Sequence, residues 1–573
     1  MAEFDLVIRR GRVVNGTGEA PAVQDVAVLD GLIVEVGEFS GSGDVEIDAD
    51  GAVVAPGFVD IHTHYDGQAT WDERLQPSSW HGVTTVVMGN CGVGFAPARP
   101  ADRTRLVELM SGVEDIPEVA LTEGLTWEWE TFPEFLDALE RIPHDVDLAT
   151  QVPHAALRVW VMGERAAAYE HATEEEIALM AGLAAEAIRA GALGFTTSRT
   201  LNHKSVSGEL TPSYEASFDE LTAIAAAVGA TGAGVLQLVT DWEEDPSSDF
   251  SLIRQMMAAS GRPMSIAVAQ NTANPERFKK VLQFLTDMNA AGYELRGQTP
   301  ARAIGMIQGL QCTLHPFMTN PVWKKISHLS VAEQAGVMAE SGFKARLLAA
   351  HTAEKDPHLV GGIFIDRYDG MFELGDPPNY EPHPDTSMAS RAAALGCTPE
   401  ELCYDILVSG EGRGMIYTPI SNYAYGSLDA VREMIAHDHT VPGLSDGGAH
   451  VGTICDASFP SFLLQYWARD RDSDGFDLSY VIAQQTSATA RAVGLHDRGY
   501  VLPGYRADIN VIDVDRLHLH KPEMHHDLPA GGKRLLQRVD GYRHTFVNGV
   551  ETYRDGEATG ALPGRLIRGG QNR

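Results

Sequence analysis

The chain is poor in cysteine, in basic charge and in unbroken apolar sequence. Five cysteines (Cys91, Cys312, Cys397, Cys403, Cys455) occur in 573 residues, odd in number and with no C-x-x-C pair. That argues against a disulfide scaffold and fits a reduced, cytoplasmic protein. Lysine and arginine total 44 against 79 aspartates and glutamates, a net charge of −35. Nucleic acid and anionic membrane surfaces are therefore not expected as partners, and the acidic excess reads as solvated surface. The longest low-charge stretch, 221–239, is broken by Gly229, Gly232 and Gly234, so it reads as helix, turn and strand instead of a membrane span. The N-terminal MAEFDLVIRRGRVV alternates like a strand and lacks the apolar core of a signal peptide. With 44% hydrophobic and 21% charged residues, the composition is that of a soluble globular protein.

What the chain does have is a repeated unit of amphipathic helix, glycine, short apolar strand and polar tip. Residues 174–189, 218–228, 250–260 and 277–291 have helical period, and each precedes a strand ending near Ser198, Gln237, Gln270 and Gln298. Earlier strands at 58–62, 84–90 and 146–151 and a later one at 440–446 extend the series to eight. Eight such units predict an α/β fold, a (β/α)8 TIM-like barrel over 56–499, with the active site at the C-terminal strand ends. The β-rich ends, 1–55 and 500–573, are expected to pair into one small β-sandwich. About 140 residues separate the seventh and eighth strands, too many for a loop. An insertion over 299–439, with its own helices above the barrel mouth, is expected there.

The strand tips carry the chemistry. The first strand ends in VAPGFVDIHTHYD, where His62 and His64 are two residues apart. In extended chain such residues point the same way and could bind one metal ion; alone, the spacing also suits two half-buried histidines in a turn. Cys91 follows the second strand in MGNCGVG, between glycines that turn the backbone sharply, and a thiolate is a good zinc ligand. Asp446 follows the eighth in LSDGGAH, where a carboxylate can bind a metal and accept a proton from water. His450, four residues on, suits either a supporting contact or a helix start.

The order PGF-D-HTH, GNCG and SDGGAH, with ADINVID and TFVNG near the C-terminus, resembles the amidohydrolase superfamily over nearly the whole chain, and within it the D-aminoacylases (N-acyl-D-amino-acid deacylases). The resemblance implies that His62, His64, Cys91 and Asp446 ligate catalytic zinc and that Asp446 is the general base. The chain departs from that family at the fifth and sixth strands, where Gln237 and Gln270 stand in place of histidines. Amide oxygens bind zinc poorly beside imidazole, so one zinc ion is expected instead of two. His203 or Lys204, after the fourth strand, could supply a missing ligand or lie on a surface loop. Arg199, Gln237, Gln270, Asn422 and Tyr423 are the candidate substrate contacts, Arg199 as a two-pronged partner for a carboxylate. Trp467, Arg469 and Arg471 are expected on a helix packed against the barrel.

These readings converge on hydrolysis of the amide bond of a small N-acyl amino acid, the D form by likeness, through metal-activated water. Two alternatives remain at this stage: another C–N or ester bond such as a cyclic amide, or an inactive barrel that only binds a ligand. An acidic barrel of this kind is also compatible with a homo-oligomer.

Overall fold

The computed structural model describes residues 2–242, 244–357, 359 and 361–572. Eight short strands follow one another in the predicted order: β1 (Phe58–Asp60), β2 (Val83–Met88), β3 (Asp147–Thr150, continued by Val152–Pro153), β4 (Gly194–Arg199), β5 (Val235–Thr240), β6 (Met264–Ala267), β7 (Leu295–Thr299) and β8 (Thr440–Pro442). β1, β2 and β3 pair in parallel. From Val152–Pro153 onward each strand pairs in parallel with the next, through β8. The two ends of the series also touch. Thr63 and Gly447 form a parallel bridge; the Asp446 N–H donates to the His62 carbonyl (3.2 Å) and the His64 N–H to the Gly447 carbonyl (2.7 Å).

The helices between the strands lie where the 3.6-residue period placed them, at Glu174–Ala190, Phe218–Ala230, Ser247–Ser260 and Arg277–Ala290. Their starts are set by side-chain caps. Thr173 and Glu176 form a capping box, and the Ser217 hydroxyl accepts from the Glu220 N–H. Their apolar stripes, such as Leu221, Ile224, Ala225 and Val228, are buried against the strands. No helix among the described residues is long and apolar enough to cross a membrane.

The chain ends meet in one nine-stranded sheet. Val53–Pro56 pairs antiparallel with Ile509–Ile512, and the sheet buries Ile8, Val26, Val54, Val511 and Phe546. Val53–Pro56 enters β1 across Gly57, whose N–H donates to the Asp508 carbonyl (2.7 Å). A Cβ at Gly57 would lie 2.1 Å from the Thr84 hydroxyl oxygen, so no side chain fits where the sheet meets the parallel strands. A buried ionic cluster holds the same junction. Arg498 donates to Asp147 Oδ2 and to the Thr85 hydroxyl (2.8 Å each), and Arg506 pairs with Asp147 (2.8 Å) and Asp508 (3.2 Å).

Between β7 and β8 the insertion carries its own helices, among them Val331–Met338, Phe343–Ala349 and Met388–Leu395, and a three-stranded sheet. They pack around a separate apolar cluster that includes Phe317, Met338, Leu347 and Leu407. Trp467 packs as expected: it is buried, and its indole N–H donates to the Ala301 carbonyl (2.7 Å).

Removing one member of the buried cluster leaves uncompensated carboxylates in low dielectric. Arg498→Met is expected to destabilise the fold by about 3–5 kcal/mol, read as a lower urea midpoint; an unchanged midpoint would show that the cluster does not hold the junction.

Candidate metal and active site

His62 and His64 lie just past the end of β1, and Cys91 follows β2 in a turn with three positive φ angles, Gly89 (79°), Cys91 (55°) and Gly92 (68°). The turn is packed too tightly for side chains at its glycines. A Cβ at Gly89 would lie 2.2 Å from the Gln151 carbonyl oxygen, and one at Gly92 would lie 2.9 Å from the Thr197 backbone. Asp446 follows β8 in another left-handed stretch, with Leu444 at φ 57° and Asp446 at φ 50°. A bulky residue held there stores backbone strain, a feature concentrated at functional sites.

The donor atoms of these elements converge. His62, His64 and Cys91 are buried and place ligand atoms within 4.8 Å of one another. His62 Nε2 is 3.2 Å from Cys91 Sγ and 3.4 Å from Asp446 Oδ1, and His64 Nε2 is 3.7 Å from the same carboxylate oxygen. Tetrahedral zinc with bonds of about 2.0–2.3 Å sets its donors roughly 3.3–3.6 Å apart. Imidazole, thiolate and carboxylate are also the ligand types zinc takes, so this donor set fits such an ion.

Burial and charge set the protonation of the group. Burial pushes the Cys91 thiol up to about 12, against the pull of His64. Burial lowers His62 to about 4 against the attraction of Asp446. His64 is also buried, which disfavours its charge, yet Glu114, Asp446 and Cys91 together raise it well above the ordinary value. For Asp446, burial acts upward but is overcome by His64 and His62, and the carboxyl lies well below its usual range.

Contacts behind these atoms fix their orientation. His62 Nδ1 lies 2.6 Å from Gln298 Oε1, an acceptor, so that nitrogen carries the proton and the Nε2 lone pair faces Cys91 and Asp446. Gln298 is held in turn by its amide donating to the Ser265 hydroxyl (2.9 Å). Glu114, at the end of the helix Arg103–Glu114, is buried with an oxygen 3.3 Å from His64 Nδ1 and the other 3.6 Å from His450 Nε2. His450 also stands 4.0 Å from Asp446, a supporting contact and not a helix start. Glu114 carried no signal in the sequence because it lies on a helix more than twenty residues past the nearest strand tip, Cys91; its only mark is a carboxylate one residue before a second acid, Asp115.

The glutamines behave differently from the expectation that they contact substrate. Gln237 is the third residue of β5, below the tip; its Oε1 accepts the Cys91 N–H (3.1 Å) and its amide nitrogen lies 3.2 Å from His62 Nδ1. It braces Cys91; the Gln237 amide nitrogen makes no hydrogen bond to His62 Nδ1, whose proton goes to Gln298. Gln270 lies beyond the end of β6 and borders the cavity, but its amide is committed to the Ala424 N–H (3.0 Å) and the Pro275 carbonyl (3.4 Å). Asn422 is buried, its Oδ1 accepting the Gln270 N–H (2.6 Å), and the Tyr423 hydroxyl donates to the Pro382 carbonyl. Arg199 turns away, donating to the Ala216 carbonyl (2.7 Å) beneath the Phe218 ring. Asn422, Tyr423 and Arg199 do not line the cavity over the donors, and each gives a side-chain polar group to a backbone partner in the framework, contrary to the expectation that they contact substrate.

A cavity of about 490 Å3 opens over the donors. Ile304, Ile363, Phe364 and Ile420 of the insertion give it an apolar wall, and His203, Lys204 and Arg277 also border it. His203 is half-buried on the loop that borders the cavity, and its Nδ1 lies 2.9 Å from the Ser198 hydroxyl. Arg277 lies in the field of Asp241, which borders the same cavity.

The chain belongs to the amidohydrolase family, whose sequence model matches residues 45–553, and it is a hydrolase acting on C–N bonds. An N-acyl-D-glutamate deacylase of Alcaligenes xylosoxydans xylosoxydans is 25% identical over 99% of this chain and 97% of its own length. A D-aminoacylase of the same organism is 37% identical over 34% of this chain and 37% of its own. Among solved structures, the N-acyl-D-glutamate deacylase of Bordetella bronchiseptica, complexed with zinc and a phosphonate inhibitor, superposes with a TM-score of 0.66 at 22% identity, covering 99% of both chains. A D-aminoacylase described by its binuclear metal centre gives 0.65 at 23%, covering 99% and 100%. These structures share the fold.

Replacing Gln298 by Leu removes the acceptor that fixes the His62 ring. Metal retention at this site against a chelator is expected to weaken by roughly 10–100-fold; unchanged affinity would show that His62 does not need this support. Cys91→Ala should lose the equivalent of metal held at this site by elemental analysis, and metal content equal to that of the parent would exclude Cys91 as a ligand.

Proposed function

We propose that the chain is a zinc-dependent hydrolase of N-acyl amino acids, built as a closed (β/α)8 barrel in which His62, His64, Cys91 and Asp446 hold one ion. The convergence of His62, His64 and Cys91 beside the cavity, with Asp446 3.4 and 3.7 Å from the two imidazoles, carries this reading. The zinc-containing deacylase with the same fold supports it. A zinc ion at this position would supply Lewis acidity, making water a stronger nucleophile at neutral pH and polarising the scissile carbonyl.

The remaining work falls to the side chains. Asp446, held ionised by the two histidines, takes the proton from the attacking water and delivers it to the departing amine. His64 is kept in place by Glu114, and Glu114 by His450, so the base keeps a fixed relation to the donors. The His203 ring, oriented by Ser198, borders the same space and can donate to the carbonyl oxygen as charge develops on it. The apolar wall from the insertion takes the acyl chain. Arg277 and Lys204 replace Arg199 as the cations that meet the substrate carboxylate.

Asp446→Asn is expected to lower turnover by about 10²–10⁴-fold while metal stays bound to the other three donors. Full activity in that variant would remove Asp446 from the role of base. A panel of N-acyl D- and L-amino acids tests the substrate class. Arg277→Ala should raise KM for the accepted substrate with kcat less affected, and an unchanged KM would place the carboxylate elsewhere. Failure of the metal-loaded protein to cleave any member of the panel would overturn the substrate assignment.

A further inference from the structure

Outside the catalytic cavity, a second cluster has the chemistry of a metal site. We infer that Asp376, His518 and His520 bind a divalent transition-metal ion at the seam between the insertion and the C-terminal segment. Their ligand atoms lie within 4.8 Å of one another. His518 and His520 flank Leu519 at the strand His518–Leu519; Leu519 is buried, so both imidazoles leave by the opposite face. Their ring centroids are 4.9 Å apart. Asp540, directly across the strand pair from His518, sets Oδ2 3.0 Å from His520 Nε2. This carboxylate holds the ring and adds negative charge beside the cluster, as carboxylates do behind metal-binding histidines.

The surroundings allow an ion to enter. Asp376 and His520 border a surface cavity of about 800 Å3, which His525 also lines. Two imidazoles and one carboxylate suit zinc, copper or nickel better than calcium or magnesium, which prefer oxygen. Asp376 belongs to the insertion and the histidines to the C-terminal segment, so the ion would clip together pieces far apart in sequence. Such clips constrain the unfolded chain most. Gln537 already joins the same pieces, its amide donating to the Tyr380 hydroxyl (3.0 Å) and the His520 carbonyl (2.7 Å). The site is independent of the catalytic assignment and stands whether or not that assignment does.

Zinc titration of the full chain, stripped with a chelator and dialysed, tests this by calorimetry and by elemental analysis after gel filtration. The chain should bind one equivalent more than the His518→Ala, His520→Ala double variant, and Cys91→Ala should retain that equivalent. Protease cleavage within the insertion should slow on adding zinc to Cys91→Ala and not to the double variant. Should the double variant fail to fold, as read by circular dichroism, Asp376→Asn at an exposed position serves instead, with zinc affinity for this equivalent expected to weaken by about tenfold or more. Equal zinc content in the parent and the double variant, or unchanged affinity in Asp376→Asn, would overturn the site.

Discussion

The arrangement depends on the backbone contact between the end of β1 and the segment after β8. Two hydrogen bonds, Asp446 N–H to the His62 carbonyl and His64 N–H to the Gly447 carbonyl, join residues that are nearly four hundred positions apart. They place the proposed base against both histidines. Ser445 tightens the junction, its hydroxyl reaching Asp60 Oδ2 (2.5 Å) and the His62 carbonyl (3.0 Å). Asp60, buried there, is pushed up to about 7 by desolvation, against the Ser445 hydroxyl and the His62 N–H. With this seam open, His62 and His64 would lie on one edge and Asp446 on another. Leu444 and Asp446 adopt left-handed backbone because the chain must turn across the seam within a few residues.

Much of the frame was legible because it rests on periodicity. The alternation of helical period with short apolar strands placed the four central helices to within a few residues, and the polar tips pointed to His62, His64, Cys91 and Asp446. What escaped the sequence was height and direction. Gln237 and Gln270 both read as tip residues, yet one lies inside β5 and supports Cys91, while the other lies past β6 and is tied to the insertion. Linear spacing does not say how deep in a strand a residue sits relative to its neighbour's tip. Arg199 follows the same logic: one residue beyond Ser198, it turns out toward Phe218 because successive strand residues face opposite sides.

Glu114 and Gln298 show a second limit. Neither sits in a motif, and each acts through contacts made across the fold, Glu114 to His64 and His450 and Gln298 to His62. The sequence singled out the candidate donors because metal chemistry restricts them to few residue types; it named Gln298 only as a strand tip and gave it no role, because many polar side chains can fix an imidazole. The apolar cavity wall is equally hidden. Ile304, Ile363, Phe364 and Ile420 look like ordinary core residues of the insertion, and only its placement over the strand ends turns them toward the donors.

The seam between β1 and β8 also orders events during synthesis. His62, His64 and Cys91 leave the ribosome early, whereas Asp446 follows only after the whole insertion has been made. A nascent chain thus holds three of the proposed ligands, two imidazoles and a thiol, long before it holds the carboxylate proposed as the base. Hydrolysis that needs the proposed base cannot begin before that base has been made, and a fragment ending before residue 440 carries three of the proposed ligands without it.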